Sequence, residues 1–183
     1  MRRIFFLWLL LAVFAILVSC NRTGRSAGNE KMMAENKIVQ QEDGIISLKI
    51  DKAACYHDMI NPASNTAEWD VVVLKSGRFN VWLSSATKDT TILRYKNSVR
   101  LNIKDYRLET LPLCDRIYQN SDDVSVPYYR ADSFMGSLYL KDTGLYDIQL
   151  ISEKIVPRDY KAAESSDEDQ TKLLSVLLVP AKR

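Results

Sequence analysis

Histidine is almost absent from this sequence, which limits the acid–base and metal chemistry open to it. His57 is the single histidine among 183 residues. Asp58 beside it makes general-base catalysis conceivable, but neighbouring residues of a strand point to opposite faces, so the two side chains form no ready dyad. Metal ligands at a recognisable spacing are missing too. A hydrogen-bonded structural histidine is favoured, and no metal or other cofactor is expected.

An excess of one charge is also lacking. The chain has 25 basic and 23 acidic side chains, which give a formal net charge of +2. Binding to nucleic acid rests on a strongly basic surface. The composition therefore excludes nucleic acid as an expected partner.

Catalytic motifs are the third absence. Ser85–Lys88 matches the S-x-x-K of penicillin-binding enzymes, but it follows a predicted strand and the chain contains no K-T-G. No Ser-His-Asp order is recognisable, and carboxylates are too plentiful to single out the pair that a glycosidase needs. The sequence predicts a protein that is not an enzyme, with a small hydrolase as the remaining alternative.

The amino terminus has the pattern of an export signal. Arg2 and Arg3 precede an unbroken apolar run of 15 residues, Ile4–Val18, which is typical of a secretory signal peptide. Leu17–Cys20 (LVSC) resembles a bacterial lipobox, which implies cleavage before Cys20 and diacylation of its thiol. A transmembrane anchor, the alternative, needs about 20 apolar residues. The expected location is the cell envelope, where Asn21 after the cysteine favours the outer membrane and the lack of a following acidic run favours its periplasmic face.

Three parts of the chain follow from this assignment. Residues 1–19 form the lipoprotein signal peptide, residues 20–43 the lipidated cysteine and a polar, flexible tether, and residues 44–183 one domain. With Cys20 assigned to lipid, Cys55 and Cys114 remain as an even pair in an exported protein, where disulfides persist. Two interpretations stay open for this pair, a disulfide or two separate buried thiols.

From Gly44 onward the apolar residues recur with a period of two, which is typical of half-buried strands. The clearest runs are Ile46–Ile50, Trp69–Val73, Phe79–Leu83, Val99–Ile103, Leu138–Leu140 and Tyr146–Leu150. Leu173–Val179 is a nearly all-apolar run, which is typical of a strand covered on both faces. Eight or nine short strands without a long helix predict an all-β sandwich or jelly roll. Cys114–Phe134 and Pro157–Lys172 break the rhythm and are predicted to be long loops.

Two segments carry a family resemblance. Trp69–Leu83 (WDVVVLKSGRFNVWL) resembles the W-D-V-x-V-x-x-x-G-x-[FY]-x-V-x-L hairpin of galactose-binding-like jelly rolls, which include carbohydrate-binding modules and accessory domains of secreted fucosidases and sulfatases. Gly136–Leu140 and Gly144–Leu150 resemble the late strand pair of the same family. The resemblance implies a galactose-binding-like sandwich over roughly residues 44–180. It implies no calcium site, because Leu48–Ile50 lacks the acidic residue that several such modules place there.

Aromatic side chains are the best candidates for binding groups. Sugar rings stack on aromatic faces while neighbouring polar groups take the hydroxyls. The predicted recognition residues, in the loop after Pro127 and just beyond the first strand, are Tyr128, Tyr129, Arg130, Tyr56 and His57. The strand face of Arg78, Asn80 and Trp82 is the alternative surface, and packing in the core is the alternative for each aromatic residue.

These observations predict a cell-envelope lipoprotein whose non-catalytic, carbohydrate-binding-like domain binds glycan. The alternative is a structural or assembly subunit of an envelope complex that uses the sandwich for protein contact. The expected partners are the membrane, through lipid on Cys20, and either a glycan or an envelope protein.

Overall fold

The computed structural model describes residues 37–155 and 171–181. They belong to the compact unit Asn36–Arg183, and the chain's second unit, Met1–Glu35, lies outside them. The predicted signal peptide, Cys20, most of the predicted tether and the acidic stretch Ser165–Asp169 also lie outside the described residues.

The described residues contain eleven strands, joined by loops and by two short 3-10 turns, Ile50–Lys52 and Pro62–Ser64. The strands are β1 (Ile38–Val39), β2 (Ile46–Lys49), β3 (Ala54–Tyr56), β4 (Thr66–Val73), β5 (Gly77–Thr87), β6 (Val99–Ile103), β7 (Tyr106–Thr110), β8 (Arg116–Tyr118), β9 (Tyr129–Leu140), β10 (Gly144–Ile151) and β11 (Thr171–Pro180). Within this part of the chain, no helix is long and apolar enough to cross a bilayer.

The strands form two sheets. A six-stranded sheet has the order β1-β4-β10-β6-β7, with β3 also paired to β4, and a five-stranded sheet has the order β2-β11-β5-β9-β8. All pairs are antiparallel except the short parallel pair of β1 with β4. The all-β sandwich predicted from the alternating sequence is confirmed.

The core lies between the inner faces of the two sheets. Along β4 every second residue is buried, and the same alternation buries Phe79, Val81 and Leu83 of β5. Side chains of this size are each worth about 1.5–3 kcal/mol when removed from water. The indole N–H of Trp69 on β4 donates to the carbonyl of Lys49 at 2.9 Å, which joins the six-stranded sheet to the end of β2.

The domain begins earlier than predicted. Gly44 is the predicted boundary, but Ile38–Val39 already pairs with β4, and Gln40 is buried. The Gln40 side chain accepts the backbone N–H groups of Leu74 and Lys75 and donates to the carbonyl of Gly44. A buried amide is stable when its hydrogen bonds are satisfied in this way. Composition alone cannot distinguish such an anchor from a polar tether.

The segment predicted as one long loop, Cys114–Phe134, is shorter in the structure. β8 occupies Arg116–Tyr118 at the edge of the five-stranded sheet, and β9 already begins at Tyr129. Polar residues of β9 such as Asp132 and Ser133 are buried. Because they interrupt the apolar alternation, the first half of β9 has no strand pattern in the sequence.

Candidate ligand-binding site

The outer face of the five-stranded sheet, on the side away from the core, carries exposed aromatic groups. Asn80 and Trp82 point outward from β5, because they alternate with the buried residues of that strand. On the neighbouring strand β9, Phe134 lies opposite Trp82 and Ser137 lies opposite Asn80. The register therefore places two aromatic and two polar side chains side by side.

A β-bulge brings Phe134 to this face. The pairing passes from Val81–Gly136 directly to Trp82–Phe134, so Met135 is the extra residue of β9 and is buried. Without the bulge, alternation would turn Phe134 inward and Met135 outward. The N–H of Phe134 donates instead to Asp115 Oδ2 at 2.7 Å, outside the strand ladder.

Gly136 makes the bulge possible. Its φ is +131°, a conformation that residues with a side chain rarely adopt. A Cβ atom at this position would lie 3.3 Å from Leu108 Cδ2 of β7. The bulge, and with it the outward direction of Phe134, depends on this glycine.

A hollow opens beside the aromatic pair, and we call it the Trp82 hollow. Its volume is about 480 Å³, and its lining residues are Asn80, Trp82, Thr110, Leu111, Leu113, Asp115 and Phe134. Leu111 and Leu113 come from the segment that links β7 to β8 and are 50% and 64% exposed. Volume, apolar walls and few polar groups match those of small-molecule sites.

The aromatic rings in the hollow have a defined geometry. The ring centroids of Trp82 and Phe134 are 5.1 Å apart with an interplanar angle of 52°, within the favourable range for aromatic pairs. The guanidinium carbon of Arg116 lies 3.9 Å from the centroid of the Trp82 ring. Asn80 Oδ1 accepts the Ser137 hydroxyl at 2.7 Å. The amide NH2 group of Asn80 therefore remains available as a donor.

The predicted recognition residues Tyr128, Tyr129 and Arg130 lie farther along the same sheet. Tyr129 and Arg130 are the first residues of β9 instead of loop residues, which corrects the sequence-based placement. Tyr129 pairs with Thr87 at the end of β5. The Tyr128 ring has two lysine ammonium groups near it, Lys88 at 5.4 Å and Lys172 at 5.2 Å from the centroid.

Arg130 is held within the protein. Its Nε and Nη2 donate to the two oxygens of Asp132, both at 2.9 Å, and its Nη1 donates to Asp123 at 2.9 Å. Its guanidinium also lies 5.0 Å from the Tyr118 ring. The hydrogen bonds to Asp132 raise the pKa of Arg130 further above its usual range. The guanidinium of Arg130, a predicted recognition residue, thus binds side chains of the domain itself.

Tyr56 and His57 belong to the other sheet. Tyr56 ends β3, opposite Thr66 of β4, and its side chain is 57% exposed. Neither residue lines the Trp82 hollow. The next residue, Asp58, accepts the N–H groups of Asn61 and Ile60, and these hydrogen bonds hold the pKa of its carboxyl below the usual value.

No disulfide joins Cys55 to Cys114, although both cysteines lie in the described part of the chain. Cys55 is on β3 of the six-stranded sheet, whereas Cys114 precedes β8 at the edge of the five-stranded sheet. Both pack against the core. Burial, with the nearby carboxylates of Asp89 and Asp115, raises the pKa of the Cys114 thiol. Of the two interpretations, the structure agrees with two separate thiols at Cys55 and Cys114.

A metal site is not evident in the described residues, where no three histidine, cysteine, aspartate or glutamate side chains are grouped. Asp123, a residue that could have attracted calcium, pairs with Arg130 and lies 3.6 Å from Lys49.

Sequence reasoning missed most of the Trp82 hollow. Trp82 and Asn80 belong to the alternative surface named from alternation, but Phe134, Leu111, Leu113 and Asp115 do not. Phe134 was placed in a loop, and its direction depends on a bulge. Gly136, two residues after Phe134, was the one local signal for the bulge.

Comparisons with known proteins agree with the fold. No protein-family model and no curated protein matches the sequence. Among solved structures, an α-L-fucosidase from Vibrio sp. strain EJY3 is similar over 79% of this chain, with 21% identity and a TM-score of 0.62. A Podospora anserina GH26-CBM35 β-(1,4)-mannanase matches 78% of the chain with 10% identity and a TM-score of 0.46. The insecticidal crystal protein Cry2Aa matches 78% of the chain with 12% identity and a TM-score of 0.44.

The chain spans only part of each of these proteins. It covers 24% of the fucosidase chain, 29% of the mannanase chain and 22% of the crystal protein. At such identities a structural likeness reports fold and not activity. The likeness to the fucosidase therefore supports the fold of this chain and shows nothing more.

Proposed function

We propose that this chain is a lipid-anchored protein of the cell envelope whose sandwich binds glycan, without catalysis, in the Trp82 hollow. The observation that carries the proposal is the pair of Trp82 and Phe134, set in an open hollow beside the polar side chain of Asn80. The C–H faces of a sugar ring are apolar and pack on aromatic rings, while amide groups bind its hydroxyls. The name of the similar fucosidase, an enzyme of sugar chemistry, gives secondary support.

The hollow suits binding better than hydrolysis. A glycosidase needs two carboxyl groups flanking one bond. Asp115 is the one carboxylate among the described residues that line the hollow, and it already accepts the N–H of Phe134. Asp115 therefore serves to hold the bulge. With no second carboxyl group among the described lining residues, we propose a function without catalysis.

The second candidate is docking of an envelope protein at the same place. Leu111 and Leu113 are exposed beside Phe134, which is itself 43% exposed, so the hollow has an apolar rim. Exposed apolar patches of several hundred Å² mark protein contacts. An assembly subunit would use this rim as the centre of its interface.

A glycan array distinguishes the two candidates. The mature protein and its Trp82→Ala variant would be applied to the same array, with Tyr106→Ala as the matched control. Tyr106 is 39% exposed on β7 of the six-stranded sheet, so its loss removes a comparable aromatic surface elsewhere. We expect a defined glycan class that Trp82→Ala loses and Tyr106→Ala retains. Binding of no glycan would reject the proposal in favour of protein docking.

A further inference from the structure

Besides Arg130, which Asp132 and Asp123 already pair, three further cations lie near aromatic rings along the outer face of the five-stranded sheet. Arg116 covers Trp82, and Lys88 and Lys172 both lie near Tyr128. All three side chains are exposed. Among the described residues, none of the three forms an ion pair.

The carboxylates along this face are already engaged. Asp132 accepts the Ser84 hydroxyl and two N–H groups of Arg130, and it is buried. Asp123 pairs with Arg130 and Lys49. Asp115 accepts the N–H of Phe134 and keeps its negative charge. Of these three carboxylates, Asp115 alone is in none of the described ion pairs, so the three cations Arg116, Lys88 and Lys172 leave an excess of positive charge there.

Strand register places the cations on both sides of β5, beyond Trp82. Lys172 on β11 pairs with Ala86 of β5, and Arg116 on the edge strand β8 pairs with Asp132 of β9, which in turn pairs with Ser84. These positions follow Trp82 toward the end of β5 at Thr87. Five residues of strand rise about 17 Å. The aromatic and cationic groups are thus spread over the length of an oligosaccharide and not of one sugar.

We propose that the ligand is an acidic oligosaccharide, with one ring against Trp82 and Phe134 and its carboxylate or sulfate groups at Arg116 and at the lysines beside Tyr128, Lys88 and Lys172. The inference rests on the proposed glycan function and names its ligand class. A guanidinium stacked on an indole keeps the N–H groups at its edge free, and their planar fork matches the oxygens of a carboxylate or sulfate. The ammonium groups of Lys88 and Lys172, 5.4 and 5.2 Å from the Tyr128 centroid, add two point charges to which further anionic groups of the ligand could bind.

The test uses polysaccharide pairs that differ only in charge. Homogalacturonan is compared with its methyl ester, and dextran sulfate with dextran, by affinity electrophoresis or titration calorimetry at low salt. The first pair probes carboxylate and the second probes sulfate. We expect at least tenfold tighter binding of an acidic member than of its neutral partner. This preference should fall steeply as salt rises from 50 to 500 mM, because exposed charges are screened.

Four variants assign the preference to these residues. Arg116→Gln, and Lys88→Gln combined with Lys172→Gln, should each reduce it severalfold, and Arg116→Lys should restore only part of it. The matched control is Lys104→Gln, since Lys104 lies 4.0 Å from the centroid of the Tyr146 ring, away from the outer face of the five-stranded sheet. This control should leave the preference unchanged.

The outcomes separate this inference from the proposed function. Equal binding of acidic and neutral members, lost in Trp82→Ala, would overturn the acidic ligand and leave the glycan site standing. Binding of acidic polymers that Trp82→Ala does not weaken would be charge attraction alone and would overturn both claims.

Discussion

Arg130 and Asp132 determine how much of the predicted recognition segment can reach a ligand. Asp132 is 4% exposed and receives three hydrogen bonds from Ser84 and Arg130, and Asp123 closes the network from the loop before β9. The sequence shows an arginine after two tyrosines, but it does not show that an aspartate two residues later will occupy the fork. For this reason the sequence predicted a ligand-binding arginine at position 130, whereas in the structure Arg130 forms an internal brace, that is, hydrogen bonds to Asp132 and Asp123.

Replacing Asp132 tests this brace. In Asp132→Ala the partly exposed guanidinium of Arg130 keeps Asp123 as a partner, and the loss of its hydrogen bonds to the buried Asp132 should cost about 1–3 kcal/mol. Chemical denaturation should show a fall of that size in the free energy of unfolding. Glu109→Ala is the control, since Glu109 pairs with Arg100 and Arg107 at the surface and its loss should barely move the midpoint. Equal effects of the two variants would contradict a special role for Asp132.

Asp58 gives the loop after β3 a dependence on pH. Its pKa is lowered from 3.8, chiefly by the N–H groups of Asn61 and Ile60. A carboxyl whose pKa is lower in the folded state than in the unfolded state stabilises the fold at pH values above its unfolded pKa. This stabilisation is lost as the pH falls through the folded pKa. Below pH 3.8 we expect the backbone amides of Ile60 and Asn61 to lose protection. Their hydrogen exchange should then be faster than the intrinsic pH dependence of amide exchange predicts. Asp58→Asn should remove the excess, and an unchanged pH profile in this variant would contradict the assignment.

At the scale of elements, the long alternating strands were predictable and the short edge strands were not. Alternation identified β2, β4, the first half of β5, β6 and β10, because each buries every second residue in the core, and a nearly continuous apolar run identified β11. β1, β3 and β8 have two or three residues each. Runs this short cannot display a period, and only their pairing with a longer strand defines them.

The candidate site escaped prediction for a related reason. Trp82 and Asn80 follow the regular alternation of β5 and were recognised as an alternative surface. Phe134 follows a bulge, which shifts the alternation by one residue. Leu111 and Leu113 lie between strands of different sheets, so only the folded chain brings them to the hollow.

Gly136→Ala tests the bulge as an element. The side chain would require a strained φ and would contact Leu108, so we expect a loss of stability of about 1–3 kcal/mol. Gly144→Ala is the matched control, because Gly144 has a φ of +120° but nothing within 4 Å of a Cβ atom. Both variants should melt earlier, but only Gly136→Ala should also weaken ligand binding through Phe134. Full binding by Gly136→Ala would contradict the role of the bulge.

At the scale of the whole molecule, the proposal joins an anchor to a binding domain. The apolar run Ile4–Val18 and the motif at Leu17–Cys20 predict that the mature protein begins with a lipidated cysteine. Mass spectrometry of membrane-extracted protein should find diacylglycerol on Cys20 and no residues 1–19. Cys20→Ala should release the protein from the membrane fraction, since a doubly acylated cysteine is sufficient for stable anchoring. A soluble mature protein with another amino terminus would contradict the anchor.

The central claim is that the Trp82 hollow holds the ligand, and calorimetric titration tests it most directly. The tightest glycan from the array is titrated into the mature protein, Trp82→Ala, Phe134→Ala and the control Tyr106→Ala. Removing a central aromatic contact should weaken binding by roughly 10- to 100-fold, about 1.4–2.8 kcal/mol, with Tyr106→Ala unchanged. Unaltered affinity in folded Trp82→Ala and Phe134→Ala would show that the ligand binds elsewhere.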